Sequence, residues 1–226
     1  GYKKIGLTPT TGDIYMDNLS IVFTLFCILL TTNAYNFIDG IDGLTGTQFV
    51  MSFIILFFYI FIENKPFLNS SDLQTLSSLF FLVIIFLFFN LGILNSKKIF
   101  LGDAGSNFLG FVIGWILIYF SYIGIISPIM CIWIVALPCI DLLRVFIVRI
   151  ANKSSPLRPD RRHIHFLLIE QKYSNINILL ILSLISLFFG VIGYISVKFG
   201  NDFISLISFI FVSIAYYLFI EKYINN

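Results

Sequence analysis

Apolar side chains fill this chain in long unbroken runs, and each run is closed by a short polar island. The runs extend from Leu19 to Phe37, Leu44 to Ile62, Leu73 to Leu94, Phe108 to Ile126, Ile129 to Ile150, Ile176 to Phe199 and Phe203 to Ile220. A hydrocarbon core about 30 Å thick is crossed by roughly 20 apolar residues in a helix, so each run is long enough to span. Lipid leaves unpaired backbone N–H and C=O groups unsatisfied, which makes the runs helices rather than strands. The pattern predicts an all-α, polytopic transmembrane helix bundle of about seven helices, with residues 1–226 forming one integral-membrane domain. Pro138 is expected to kink the fifth helix.

Composition supports this and excludes a soluble fold. Hydrophobic residues make up 58% of the chain and charged residues 12%, against about a quarter charged in soluble domains, and mean hydropathy is +0.97. A net charge of +2 is too small to argue for a nucleic-acid partner. Its distribution says more. Lys97 and Lys98 share one loop, and Arg144, Arg149, Lys153, Arg158, Arg161, Arg162 and Lys172 crowd around another. Short cytoplasmic loops carry such an excess, which places both loops, the DGIDG stretch and the C-terminus on the cytoplasmic side. Lys3 and Lys4 fall on the outer side and run against the scheme. Cys27, Cys131 and Cys139 lie within apolar runs without zinc spacing and read as small packing residues.

Three polar islands carry candidate chemistry. In "NAYNFIDGIDGL", Asn33, Asn36 and Asp39 recur every three residues along one helix face, Gly40 and Gly43 let the backbone turn, and Asp42 follows. Caps around a tight turn would explain a lone Asp-Gly pair, but a polar cluster at a membrane boundary points to function. In "FLGDAGS", Asp103 and Ser106 sit among glycines at a helix start, where unpaired N–H groups attract phosphate and a carboxylate could hold Mg²⁺. A plain helix cap is the structural alternative. In "PDRRHIH", a loop touching anionic lipid accounts for the arginines but not for His163 and His165. Zinc is disfavoured there because no further ligand stands at suitable spacing. Asp141 and Arg144, three apart in the fifth run, read as an ion pair ahead of a direct catalytic role.

These three segments, in this order and separated by membrane helices, resemble the polyprenyl-phosphate N-acetylhexosamine-1-phosphate transferases. The likeness covers nearly the whole chain. It implies transfer of a sugar 1-phosphate from a UDP-N-acetylhexosamine to a polyprenyl phosphate such as undecaprenyl phosphate, with release of UMP, to begin a lipid-linked cell-envelope glycan. It also implies a multi-pass protein of the bacterial inner membrane with cytoplasmic active-site loops, no nucleic acid, and a homodimer left open. Carried over by residue, Asp103 and Asn36 hold Mg²⁺ or Mn²⁺. Asp103, Asp39, Asp42, His163 and His165 form the catalytic group, and Asn33, Asn36, Phe100, Gly102, Ser106, Arg161 and Arg162 bind substrate, Phe100 by stacking on uracil. Whether the lipid phosphate attacks directly or an aspartate is first phosphorylated stays open.

Two departures stand out. The family's DDxxD loop upstream of the first segment has no counterpart, since Asp13 and Asp17 do not reproduce it, so the chain is expected to be the C-terminal part of a roughly ten-helix enzyme. Phe166 stands where many relatives have a further histidine. Two other functions compete: a remnant that binds nucleotide-sugar without turnover, and a transporter with polar groups at mid-membrane.

Overall fold

The computed structural model describes residues 4–5, 14–15, 19–63, 70–93, 97–153 and 162–224. A two-residue antiparallel pair, β1 (Lys4–Ile5) with β2 (Ile14–Tyr15), precedes the helices. The helices are α1 (Leu19–Phe37), α2 (Leu44–Ile62), α3 (Ser70–Asn90), α4 (Gly102–Tyr122), α5 (Pro128–Ile134), α6 (Ala136–Ala151), α7 (Ile164–Glu170), α8 (Asn175–Phe199) and α9 (Asp202–Ile224). Six are long and apolar enough to cross a membrane, and the bent pair α5–α6 brings the spans to seven when taken as one. The protein is a multi-pass membrane helix bundle.

Helical periodicity divides each span into two faces. Along α8, Ile176, Leu180, Leu184, Phe188, Val191 and Ile195 are exposed, while Ile178, Leu182, Ser186, Phe189 and Gly193 are buried. Rows of exposed Ile, Leu and Phe are intolerable in water and natural against lipid. The helix ends differ from the hydropathy reading in one useful way. The fourth helix begins at Gly102 rather than Phe108, so its polar first turn, with Asp103 and Ser106, continues the span. The third run loses its tail, since α3 ends at Asn90.

Packing between α1 and α4 is unusually close. A Cβ at Gly110 would lie 2.7 Å from the Thr31 carbonyl oxygen, and one at Gly114 2.2 Å from Thr31 Oγ1. Small residues four apart let membrane helices approach backbone to backbone, and this contact sets the polar end of α1 beside the first turn of α4.

The bend expected at Pro138 is present, and it divides the fifth span in two. The span breaks at Val135 into α5 and α6, bent by 80°. Pro138 explains the position: without an N–H it cannot bond the carbonyl of Ile134 one turn back. That carbonyl accepts instead from Ser52 Oγ at 3.0 Å, and Ser52 lies 2.8 Å from the Tyr35 hydroxyl. Since the single hydroxyl proton of Ser52 goes to Ile134, Tyr35 donates to Ser52.

Ser52→Ala should therefore cost about 1 kcal/mol of stability in detergent, within the range for buried membrane hydrogen bonds, measured by reversible unfolding. In a Pro138→Ala background, where an intrahelical N–H can serve Ile134, the cost should shrink. An equal cost in both backgrounds would remove the Ile134 carbonyl as the reason for Ser52.

Candidate active site at one end of the bundle

The close α1–α4 contact delivers Asn36, the penultimate residue of α1, to the start of α4, where its Nδ2 donates to Ser106 Oγ at 3.0 Å. Ser106 is fully buried and bonds back to the carbonyls of Gly102 and Asp103 at 3.3 and 3.2 Å. Gly102 has φ +65°, a left-handed conformation that glycine takes without a Cβ penalty, and Asp103 is exposed in the first helical turn. Asn36 spends one of its two N–H donors on Ser106, and its amide oxygen is the atom it can offer a cation.

Between α1 and α2 the chain turns through the two aspartates. Asp39 accepts from Thr45 Oγ1 at 2.8 Å. Its carboxyl pKa is raised, first by burial and then by the negative charges of Asp103 and Asp42, with the Thr45 bond opposing. Asp42 of the first island and Asp103 of the second thus lie near enough to Asp39 to act on its charge. Asp42 pairs with Lys98 Nζ at 2.8 Å, and the loop carrying Lys98 is held by Asn90 Nδ2, which donates to the Ile99 carbonyl at 2.6 Å. Phe100, next in that loop, projects at 73% exposure.

The third island closes over the first. His163 and His165, at the start of α7, are 3% and 0% exposed. The His163 ring stacks on Phe37 at 5.7 Å between centroids and on His165 at 5.9 Å. His165 fills the space beside Gly40, where a Cβ would stand 2.0 Å from its Nε2, so only glycine admits the imidazole. Neither ring nitrogen of His165, nor Nε2 of His163, has a hydrogen-bond partner among the described residues. Burial pushes the His165 pKa down to about 4, with Asp141 opposing and His163 adding. His165 is therefore a neutral imidazole near pH 7.

Asn36, Asp39, Asp42, Gly102, Asp103, Ser106, His163 and His165 thus meet at one end of the bundle. Asn33 does not join them: it is exposed and donates to the Leu29 carbonyl of its own helix at 2.7 Å. Arg162 is exposed and its carbonyl accepts from the Arg144 guanidinium. Arg161 lies outside the described residues, as does Arg158. Sequence reasoning placed the Asp141–Arg144 pair, found at 3.3 Å, but missed that Asp141 also accepts from His163 Nδ1 at 2.8 Å. An aspartate in the middle of an apolar run was the available signal.

Among the described residues no three His, Cys, Asp or Glu side chains stand together as a metal cage. Mg²⁺ takes one or two carboxylates and fills its shell with water and phosphate oxygens. Asp103, Asp39 and Asn36 offer only such hard oxygen donors. The residues present fit that ion.

The family model for glycosyl transferase family 4 matches residues 1–121, more than half of the chain. The chain belongs to glycosyl transferase family 4. The match takes in the first two islands of this family 4 chain, and alignments to curated relatives extend beyond it. The undecaprenyl-phosphate alpha-N-acetylglucosaminyl 1-phosphate transferase of Escherichia coli O157:H7 is 28% identical over 91% of this chain and 60% of its own length. The proteins of that name from Salmonella typhi and Haemophilus influenzae are 31% and 32% identical, over 67% and 59% of this chain and 41% and 39% of theirs. The chain thus spans three fifths or less of the length of these relatives. No solved structure matches it.

The raised Asp39 pKa has a measurable sign. The folded chain favours the protonated carboxyl, so the stabilisation is complete below the ordinary carboxylate value and is lost as pH rises through the raised one. Asp39→Asn keeps an acceptor for Thr45 and removes the charge. It should raise the unfolding midpoint in detergent at about pH 7, and much less at about pH 4. A lowered midpoint at neutral pH would mean that burial and repulsion do not govern Asp39.

Proposed function

We propose that the full-length protein transfers an N-acetylhexosamine 1-phosphate from a UDP-sugar to a polyprenyl phosphate, releasing UMP. The observation that carries this reading is the convergence of three islands, carboxylates from two and buried imidazoles from the third, at one end of a lipid-exposed bundle. A diphosphate in water and a phosphate on a membrane-dissolved chain can meet only at such a boundary. The names of the family 4 relatives support the reading. In the reaction an oxygen of the lipid phosphate forms a bond to the sugar-bearing phosphorus of the diphosphate, the bond from that phosphorus to the bridging oxygen breaks, and UMP leaves with the bonding electrons.

Two anions must approach each other, so the task of the site is to offset repulsion. Mg²⁺, held by Asp103 and Asn36, would neutralise phosphate charge when bound. Asp39 and Asp42 would border the nucleotide, and Lys98 holds Asp42 in place. Ser106 anchors Asn36, and the first turn of α4 offers N–H groups toward phosphate. His163 would face the diphosphate through Nε2, while neutral His165 locks its loop against Gly40. Phe100 would stack on the uracil. The basic residues near this end support a cytoplasmic orientation in a bacterial inner membrane.

UMP release by the purified full-length protein, given UDP-N-acetylglucosamine and undecaprenyl phosphate, tests the reading. Asp103→Asn should cut release by about 10²-fold or more, the scale of losing one strong electrostatic contact in the transition state. Chelation should abolish release and added Mg²⁺ should restore it. His163→Ala should keep normal abundance in the membrane and lose most turnover. Near-normal release by Asp103→Asn would take Asp103 out of the site, and no release by the wild type would reject the function.

A further inference from the structure

The buried carboxylate of Asp141 is surrounded by donors. Its Oδ2 faces His163 Nδ1 at 2.8 Å, and the backbone N–H of Ile164 points at both oxygens, at 3.2 and 3.4 Å. Arg144 Nη2 and Nε approach Oδ1 at 3.3 and 3.4 Å, and the Tyr216 hydroxyl of α9 donates to the same oxygen at 3.3 Å. Arg144 in turn pairs with Glu221 of α9 at 3.3 Å. Asp141 itself is 1% exposed, on α6, and does not reach the gathered carboxylates or the open face of the site.

An ionised carboxylate only accepts, so the nitrogen it faces must carry the proton. For neutral His163 this selects the Nδ1–H tautomer and leaves a lone pair on Nε2. For charged His163 it leaves Nε2–H as the remaining donor. In both states Nε2 is the atom with unspent capacity, and it is the buried ring nitrogen without a partner among the described residues. Phe37 and His165 both stack on the buried ring, which hinders the imidazole from turning over to exchange its nitrogens.

We propose that Asp141 is a positioning residue that fixes the tautomer and orientation of His163 and so presents Nε2 to the substrate diphosphate, with Arg144 and Tyr216 holding the carboxylate in place. A carboxylate behind a working histidine sets which nitrogen does the work. The functional half of this inference rests on the transferase reading, whereas the tautomer half does not.

The test uses the full-length protein with ¹⁵N-labelled histidine rings in detergent, the His163 signals being assigned by their loss in His163→Gln. At a pH where the ring is neutral, wild-type His163 should show the Nδ1–H tautomer, and Asp141→Asn should move it toward Nε2–H. UMP release should fall about 10–100-fold in kcat, with the KM for UDP-sugar changed much less. Asp141→Glu, which keeps the acceptor, should recover part of both readouts. A wild-type ring in the Nε2–H form would overturn the proposal, and so would an Asp141→Asn protein that switches tautomer with turnover intact. If Asp141→Asn fails to accumulate in the membrane, the wild-type spectrum and Asp141→Glu decide. Correct tautomers without UMP release from the wild type would uphold the positioning role and reject the transferase reading.

Discussion

Taking a carboxylate out of water costs several kcal/mol even after the protein relaxes around it, and Asp141 stays ionised in the bundle because every group that reaches it donates. Its partners come from three separate stretches: Arg144 on its own helix, His163 and Ile164 at the start of α7, and Tyr216 on α9. A carboxylate placed there therefore gathers them, since each lost donor would leave charge uncompensated in a low-dielectric interior. The third island owes its position to this gathering. With the fit of His165 beside Gly40, it brings two histidines of a basic loop against the DGIDG turn.

A second constraint comes from lipid, which offers no hydrogen bonds to stray backbone groups. The carbonyl left idle by Pro138 can exist in the membrane only because Ser52 reaches it. The break at Val135 is tolerated for that reason, and it turns α6 by 80° before the chain reaches Asp141. The hydroxyls of Tyr35 and Ser52 link α1, α2 and the bend, just as the glycine contact links α1 to α4. The fold thus joins its polar end to its apolar middle through a few specific bonds, while the lipid-facing stripes contribute bulk but little specificity.

The spans could be read from the sequence because hydrophobic length is a one-dimensional property, and the runs from Leu19, Leu44 and Ile176 agree with their helices to within a residue or two. The three islands could also be read as one-sided, since helix parity alone puts them at the same end. What could not be read is contact. Asp141 and Arg144 looked like a local pair because their spacing is local, whereas the partner that gives Asp141 its meaning, His163, lies across a loop whose path no periodicity encodes. Asn33 shared a three-residue spacing with Asn36 and Asp39, yet its side chain folds back onto Leu29. Spacing along a helix states which residues share a face, not which of them finds a partner. The short α7 was missed for a related reason. Its seven residues are too few to show a period, and its burial comes from contact with α8.

The meeting of Gly40 with His165 joins the two halves of the chain as socket and plug. A backbone without a side chain on one loop is matched to a ring on the other, with no space between them for a methyl group. Such a joint behaves as a single unit of inheritance even though its halves are encoded far apart. A loop exchange with a relative must therefore carry both members, and a chimera cut anywhere between them inherits one half of a fitting whose counterpart was shaped for another chain.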